Sequence, residues 1–257
     1  MKVEIEGCLL NYETQGEGDP ILLLHGWGAS IEAMRSIANC AAGLGYCAVS
    51  LDFPGFGESG KLLRPWTLDD YARVTRGFIE RLDICGCDVI GHSHGGRVAI
   101  RLASEDSALF CSVVLVDAAG IRPRRGLKYY FKVYSYKLGK RLARISWLDR
   151  LFSISERQKD AGSADYKALG SDAMRKTFVN LVNEDLRGRV KKIENETLLI
   201  WGSEDRDTPL YMARYMEKHI KNAGLAVLEG AGHYSYADNY AQFCAVMKAF
   251  FGGRQGR

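Results

Sequence analysis

The sequence predicts an α/β protein with a mostly parallel, doubly wound sheet, and two observations support this prediction. Short apolar runs alternate with longer stretches of helical period, and each run ends close to a glycine or an aspartate. The six runs are Ile21–Leu24, Cys47–Leu51, Cys87–Ile90, Ser112–Val116, Thr197–Trp201 and Leu225–Leu228. Runs of this kind are typical of strands that are buried on both faces of a sheet and that lead into functional loops.

A hairpin and five helices are predicted around these runs. Residues 3–12 alternate in hydrophobicity and turn near Gly7, so we expect an antiparallel hairpin at one edge of the sheet. Thr67 and Asp70 have the spacing of a capping box ahead of a stretch of helical period. The other four helices are expected from Ser30, His94, Pro209 and Asn239, with the proline at a favoured first-turn position.

Residues 121–192 interrupt the alternation, because they contain no convincing strand. This stretch holds 19 lysines and arginines against 7 acidic residues, which leaves 16 and 24 elsewhere from the chain totals of 35 and 31. Such an asymmetry indicates a separate unit. We therefore predict a core formed by residues 1–120 and 193–257, with a basic helical insertion at 121–192.

Composition excludes several classes of protein. The 257 residues are 47% hydrophobic and 26% charged, which is typical of a globular protein and not of a disordered chain. No apolar run approaches the roughly 18 residues of a membrane-spanning helix, and charges occupy the place of a signal peptide's apolar stretch. Seven scattered cysteines favour reduced thiols in the cytoplasm, and a net charge of +4 is too small to indicate nucleic acid binding.

The strongest motif is Gly91-His92-Ser93-His94-Gly95, which follows one predicted strand and precedes a predicted helix. It matches the G-x-S-x-G nucleophile elbow in the strand-turn-helix context that the elbow requires. The glycines allow strand and helix to approach while the serine occupies a sharp, strained turn. The serine hydroxyl is then expected at a helix amino terminus, where backbone N–H groups favour an oxyanion.

A serine nucleophile needs a base and a group that orients the base, and the sequence supplies both. Asp205 follows the run ending at Trp201, and His233 follows the run ending at Leu228. Taken alone, Asp205 also fits a helix cap and His233 an ordinary loop histidine. Together they complete the chain order Ser, Asp, His, with each member just beyond a predicted strand.

With these residues the sequence resembles the cap-bearing branch of the α/β-hydrolase superfamily. Five ordered motifs carry the resemblance: His25 to Gly28, Asp52 to Ser59, Gly91 to Gly96, Trp201 to Asp205 with Pro209, and Gly230 to His233. The resemblance implies that Ser93 is the nucleophile, His233 the base and Asp205 the acid. It also implies an oxyanion hole formed by the backbone amides of Trp27 and His94, with Asp117 as an alternative acid position.

Two motifs suggest a cofactor or a metal, and we interpret both differently. Gly55 to Gly60 matches a dinucleotide fingerprint and, with Lys61, most of a phosphate loop, but Leu62 breaks the latter and no helix opens cleanly there. The family's own turn explains this segment better. His92 and His94 lack further ligands at useful spacing. We expect neither a cofactor nor a metal.

The expected function is a serine hydrolase that cleaves a carboxylic ester or related acyl compound through an acyl-enzyme. Carbon–carbon bond hydrolase, thioesterase, lactonase and acyltransferase activities remain open on the same triad, as does a low-turnover ligand-binding or receptor protein. The insertion is expected to form the cap. Arg124 and Arg125 are candidates for attracting an anionic substrate and Tyr129 and Tyr130 for an aromatic pocket, although charged helices more commonly present a solvated face. Oligomeric state is left open.

Overall fold

The structure is a computed structural model that describes residues 1–123 and 171–252. The chain divides into two compact units, Met1–Arg122 with Asp172–Arg257, and Pro123–Ser171. The predicted cap residues Arg124, Arg125, Tyr129 and Tyr130 lie outside the described residues. The helices between residues 172 and 190, which fall within the predicted insertion 121–192, belong to the first unit.

Eight strands form one sheet, and the fold class is the predicted one. They are β1 (Lys2–Ile5), β2 (Cys8–Gln15), β3 (Pro20–Leu24), β4 (Cys47–Leu51), β5 (Cys87–His92), β6 (Phe110–Val116), β7 (Glu196–Gly202) and β8 (Ala223–Leu228). Their order is β1-β2-β4-β3-β5-β6-β7-β8. The β1–β2 and β2–β4 pairs are antiparallel and all others are parallel. All six predicted strands and the edge hairpin are confirmed.

The strands differ in burial according to their place in the sheet. The central strands β3 and β5 contain no exposed residue. By contrast, β8 buries only Leu228 fully, because this edge strand has a neighbour on one side alone. The expectation that every run is buried on both faces is therefore wrong for β8.

Helices cover the sheet. They are α1 (Ile31–Gly43), α2 (Leu68–Arg81), α3 (His94–Ala103), α4 (Asp172–Asn183), α5 (Arg187–Val190), α6 (Tyr211–His219), α7 (Ser235–Asp238) and α8 (Tyr240–Phe251), with a 3₁₀ turn at Ser107–Leu109. Four of the five predicted helix starts are confirmed. The helix predicted from Pro209 is α6, which begins two residues later, at Tyr211, with Leu210 as its N-cap. The Pro209 carbonyl accepts from Met212 N at 2.8 Å in the turn that leads into this helix. Among the described residues, no helix is long and apolar enough to cross a bilayer.

Two helix starts show how capping works in this fold. Thr67 and Asp70 form the predicted capping box, with Thr67 N donating to Asp70 Oδ2 at 2.8 Å. At α1, however, the Ser30 side chain makes no capping bond. Ile31 N instead donates to Asp52 Oδ1 at 2.8 Å, so a carboxylate from the end of β4 caps a distant helix.

Candidate active site

The loop after β5 turns sharply at Ser93. Its φ of 49° and ψ of −108° place a non-glycine residue in a strained region. The turn is tolerated because the neighbouring glycines permit close approach. A Cβ on Gly91 would lie 2.6 Å from the carbonyl carbon of Gly95, and a Cβ on Gly95 would overlap the Leu24 carbonyl. This close packing therefore holds Ser93 in its strained conformation, with the hydroxyl at the start of α3.

Ser93, His233 and Asp205 meet although they are far apart in sequence. His233 Nε2 lies 3.0 Å from Ser93 Oγ, and His233 Nδ1 lies 2.9 Å from Asp205 Oδ2. The His233 side chain is 15% exposed and that of Asp205 is fully buried. Each of the three residues follows a parallel strand, so their meeting reflects the common edge at which parallel strands end.

Asp205 is held by donors from its own loop. Oδ1 accepts from Asp207 N at 2.8 Å and from Thr208 N at 3.0 Å, and Oδ2 accepts from Thr208 Oγ1 at 2.6 Å. Burial tends to raise the pKa of this carboxyl, but the hydrogen bonds from His233 and Thr208 more than offset burial and lower it. Asp205 is thus ionised at neutral pH and available to orient an imidazole.

The pKa of His233 is raised above its ordinary value. Burial acts to lower this pKa, and the hydrogen bond and charge of Asp205 outweigh burial. The backbone of His233 is held as well, because its carbonyl lies 2.9 Å from His92 Nε2. His92 is fully buried, and burial together with the neighbouring His233 lowers its pKa to about 3. Its neutral imidazole therefore donates from Nε2, which fixes the tautomer.

The amides of Trp27 and His94 lie on two loops that meet at Ser93. A Cβ placed on Gly26 would lie 3.4 Å from Ser93 Cβ, so the loop after β3 packs against the elbow. His94 is the first residue of α3, where backbone N–H groups have no partner within the helix. Neither amide donates to any acceptor among residues 1–123 and 171–252. Within the described part of the chain, both N–H groups therefore meet the first requirement for the expected oxyanion hole, which is a donor without an internal acceptor.

His25 fixes the loop that carries Trp27. Its Nδ1 lies 2.6 Å from the Gly26 carbonyl, and its Nε2 accepts from Phe53 N at 2.9 Å. Burial is the main cause that lowers the His25 pKa to about 4. The ring is therefore neutral, with its proton on Nδ1, and it ties the loop after β3 to the loop after β4.

Aromatic rings surround the side chain of His94. Its ring contacts those of Trp27, Phe53 and Tyr71 at centroid distances of 5.7, 5.1 and 4.8 Å. Burial, followed by the charge of Arg97, holds the His94 pKa well below its ordinary value. The ring is therefore neutral and acts as part of an aromatic wall beside the elbow.

Comparison with known proteins agrees with this architecture. A model of the alpha/beta hydrolase family matches residues 21–246. The chain belongs to the alpha/beta hydrolase family.

Several similar proteins illustrate the range of the family. An AB hydrolase superfamily protein of Bacillus subtilis is 26% identical, covering 95% of this chain and 96% of the relative. The 2-hydroxy-6-oxo-6-phenylhexa-2,4-dienoate hydrolase of Comamonas testosteroni is 24% identical, covering 93% and 90%. An esterase structure from Exiguobacterium antarcticum has a TM-score of 0.74 at 21% identity, covering 96% of each chain, a likeness that concerns the fold alone.

One group of residues in the described part of the chain could hold a metal ion. Within the described part of the chain, one ligand atom each from Asp205, Asp207 and His233 lie within 4.8 Å of one another. However, both Asp205 oxygens already accept hydrogen bonds, and His233 Nδ1 is engaged with Asp205. A cation would have to displace these bonds. His92 and His94 make no pair, because His92 packs on Tyr236 and His94 on Tyr71.

The glycine-rich segment after β4 lacks the geometry of a phosphate site. The next helix along the chain, α2, begins only at Leu68, so the glycines do not themselves open a helix as a phosphate loop requires. Asp52 organises the turn instead, since its Oδ2 accepts from Glu58 N at 3.0 Å and from Asn11 Nδ2 at 2.8 Å. The segment is a structural turn beside the site.

The structure also decides which carboxylate contacts His233. Asp117, the alternative acid position, directs its carboxylate to Gly202 and Ser235, whereas His233 Nδ1 lies next to Asp205. Sequence reasoning missed Thr208 and the ring of His92 as contributors to the site. Thr208 had a detectable signal, because a threonine three residues after an acid can bond to it locally.

Proposed function

We propose that this chain is a cofactor-independent serine hydrolase that cleaves a carboxylic ester or a related small acyl compound through an acyl-enzyme. The observation that carries the proposal is the continuous contact from Ser93 Oγ through His233 to the buried Asp205. Nucleophile, base and orienting acid are all within hydrogen-bond distance of the next group, which is the geometry that nucleophilic catalysis requires.

The roles follow from the atoms. Ser93 Oγ attacks the substrate carbonyl while His233 Nε2 accepts the serine proton. Asp205 holds the proton on His233 Nδ1 and stabilises the imidazolium that forms. The amides of Trp27 and His94 donate to the oxyanion of the tetrahedral intermediate. His233 returns its proton to the leaving group, and a water molecule then hydrolyses the acyl-enzyme by the same steps.

Two measurements on the wild-type protein test this function. A fluorophosphonate is expected to label Ser93, which peptide mass spectrometry identifies, and p-nitrophenyl acetate and butyrate are expected to turn over. A protein that keeps full esterase activity without label on Ser93 would exclude the assignment. Rapid labelling without turnover of any ester or thioester in a broad screen would favour a ligand-binding protein of the same fold.

A carbon–carbon bond hydrolase is the second candidate, because a relative with that chemistry in its name aligns over 93% of this chain. A serine triad of the same geometry serves such a reaction when the carbonyl carbon of a ketone takes the place of the ester carbon. Comparing kcat/KM for 2-hydroxy-6-oxo-6-phenylhexa-2,4-dienoate with that for p-nitrophenyl butyrate separates the two candidates. The substrate with the larger value identifies the reaction class.

We also propose an anionic or aromatic substrate, on the basis of the sequence of the basic insertion. Arg124 and Arg125 supply positive charge, and Tyr129 and Tyr130 supply aromatic surface. If the charges attract the substrate, replacing both arginines by glutamine weakens anionic esters in a salt-dependent way and spares neutral esters. An equal effect on both kinds of ester at every salt concentration would exclude this proposal.

A further inference from the structure

Asp117 is a buried carboxylate at the end of β6 that the proposed mechanism does not use. Its residue exposure is 0%, and its φ of 45° is strained for a side-chain-bearing residue. Oδ1 accepts from Gly202 N at 2.8 Å, and Oδ2 accepts from Ser235 Oγ at 2.6 Å and from Ser235 N at 3.1 Å. Three donors therefore converge on one carboxylate.

These donors belong to the two segments that carry the acid and the base. Gly202 ends β7 and begins the loop that holds Asp205. Ser235 begins α7, directly after the loop that holds His233. The backbone carbonyl of Asp117 lies 3.0 Å from Oγ1 of Thr208, so it shares the single proton of this hydroxyl with Asp205 Oδ2 at 2.6 Å. Asp117 thus joins both loops at a point adjacent to the triad.

Holding a carboxylate in this position opposes folding in two ways. Burial raises the pKa of Asp117 to about 7, and the charge of Asp205 acts in the same direction. The positive φ adds backbone strain. An apolar residue would avoid the buried charge, but it would accept no hydrogen bond from Gly202 or Ser235. The carboxylate therefore has an organising role that an apolar side chain lacks.

We propose that Asp117 is a positioning residue that fixes the acid loop and the histidine loop relative to each other, so that Asp205 Oδ2 and His233 Nδ1 stay within hydrogen-bond distance. The inference rests on the proposed serine hydrolase function and adds to it a group that touches none of the reacting atoms.

Because Asp117 lies among other titratable groups, the proposal also predicts a change in the pH dependence of kcat/KM. A loss of stability alone would not produce this change. The titratable groups that interact with Asp117 are Asp205, His233 and the phenol of Tyr236 on α7. Asp207 on the acid loop and His92 on β5 also act on or pack against His233. The negative charge of Asp117 is one of the causes that raise the His233 pKa. Where Asp117 is ionised, in the upper part of the acid limb of kcat/KM, removing its charge lowers the His233 pKa and moves the limb to lower pH.

The test compares Asp117→Asn and Ser235→Ala with Asp88→Asn. Asp88 is a buried carboxylate bonded to Ser112 Oγ at the opposite end of the strands, so it matches Asp117 in burial and partner type. Asparagine is nearly isosteric, but one end of its amide is an NH2 donor, so it cannot accept hydrogen bonds from both Gly202 N and Ser235 N as the carboxylate does. Ser235→Ala removes only the hydroxyl donor and is the milder variant should Asp117→Asn fold poorly.

For p-nitrophenyl butyrate we expect Asp117→Asn to lower kcat by about 10- to 100-fold with KM within about twofold, since binding surfaces are untouched. Its acid limb should move to lower pH. Ser235→Ala should lower kcat by about 3- to 10-fold, and Asp88→Asn should keep kcat within about twofold at a comparable fall in Tm. In proton NMR, the low-field His233 Nδ1–H resonance should weaken in Asp117→Asn and persist in Asp88→Asn.

Two results would overturn the positioning role. One is an Asp117→Asn variant whose kcat, pH profile and Nδ1–H resonance are the same as those of the wild type. The other is an equal loss of kcat in Asp88→Asn, which would reduce the effect to general destabilisation. A wild-type protein that neither reacts with fluorophosphonate nor hydrolyses any ester would contradict the proposed function instead, and the NMR comparison would still decide whether Asp117 positions His233.

Discussion

Strand β6 carries two buried aspartate–serine contacts, one near each end, and they differ in what they join. Near its amino end, Ser112 Oγ donates to Asp88 Oδ1 at 2.5 Å and joins β6 to β5. At its carboxyl end, Asp117 accepts from Ser235 and Gly202 and joins two loops. An aspartate–serine pair thus joins two strands of the sheet at the amino end of β6. At the carboxyl end, another such pair helps to join the loops that carry Asp205 and His233.

Strained backbone conformations also distinguish the carboxyl ends of the central strands. Among the described residues, four that are not glycine have positive φ: Glu6, Asp83, Ser93 and Asp117. Glu6 and Asp83 occupy exposed turns, whereas Ser93 and Asp117 lie at the carboxyl ends of the central strands β5 and β6. Strained residues inside a fold must be overdetermined by their surroundings. Substitutions at the carboxyl end should therefore change chemistry, and matched substitutions at the amino end should change stability alone.

The largest effect is expected from Ser93→Ala and His233→Ala. Each should lower kcat by about 10⁵-fold or more, and the double variant should lose hardly more, because nucleophile and base act as one unit. Stopped-flow acylation with p-nitrophenyl acetate measures this loss, and Asp88→Asn serves as the amino-end control. Losses that multiply in the double variant would show that Ser93 and His233 act independently.

Asp205→Asn should have the next largest effect, about 10³- to 10⁴-fold in kcat. The amide keeps the shape of the carboxylate but favours the wrong imidazole tautomer and forfeits the charge that stabilises the imidazolium. Asp207→Asn is the matched control, since Asp207 is exposed and only two residues away. We expect its kcat within about threefold of wild type. Similar losses in the two variants would remove the special role of Asp205.

The value of kcat/KM should fall tenfold for each unit by which the pH drops below the His233 pKa. His233 must be neutral to accept the serine proton, and its pKa is raised above the ordinary value because Asp205 outweighs burial. The limb of kcat/KM is therefore expected above pH 6.5, with activity lost as pH falls through it. Asp88→Asn should leave the limb unmoved. A rate that is flat between pH 5 and 8, with chemistry limiting, would contradict the general-base role.

The fold could be predicted from the sequence because its signals are local. The residues of a run such as Cys47–Leu51, or of the capping box at Thr67, predict the conformation of that same segment. The exposed edge strand β8 was not predictable from its apolar composition, because burial depends on the number of neighbouring strands. The cap of α1 was missed for a similar reason, since Asp52 comes from a different element.

The candidate site could be predicted only as far as its motifs extend. Ser93, Asp205 and His233 each follow a recognisable strand, so their chain order predicts that they meet. The contacts of Asp117 with Ser235 and of His92 with the His233 carbonyl join residues 118 and 141 positions apart. No local pattern encodes such pairs. Three-dimensional packing is needed to distinguish a positioning group from an alternative acid.

A smaller effect is expected at His92, whose imidazole donates to the backbone carbonyl of His233. His92→Phe keeps an aromatic ring and removes the donor, so we expect kcat to fall by about 3- to 10-fold as His233 loses one anchor. His92→Gln retains an N–H near the Nε2 position and should lose less. The kcat values for p-nitrophenyl butyrate measure the difference. Equal activity in the Phe and Gln variants would contradict the anchoring role of this hydrogen bond.

The smallest change in activity is expected from Ser112→Ala, which tests the comparison at its amino end. The variant leaves Asp88 Oδ1 without the Ser112 donor in a buried place, which should lower the free energy of unfolding by about 1–3 kcal/mol. Because Ser112 and Asp117 are five residues apart on one strand, the lost bond lies about 17 Å from the carboxyl end. We therefore expect kcat within about twofold of wild type, and Ser235→Ala at the other end to show the reverse, a larger loss of kcat for a similar loss of stability. Urea unfolding and kcat measured on the same preparations give both quantities. If Ser112→Ala lowers kcat as much as Ser235→Ala does, the two ends of β6 do not differ in function, and the strained, charged end has no privileged link to catalysis.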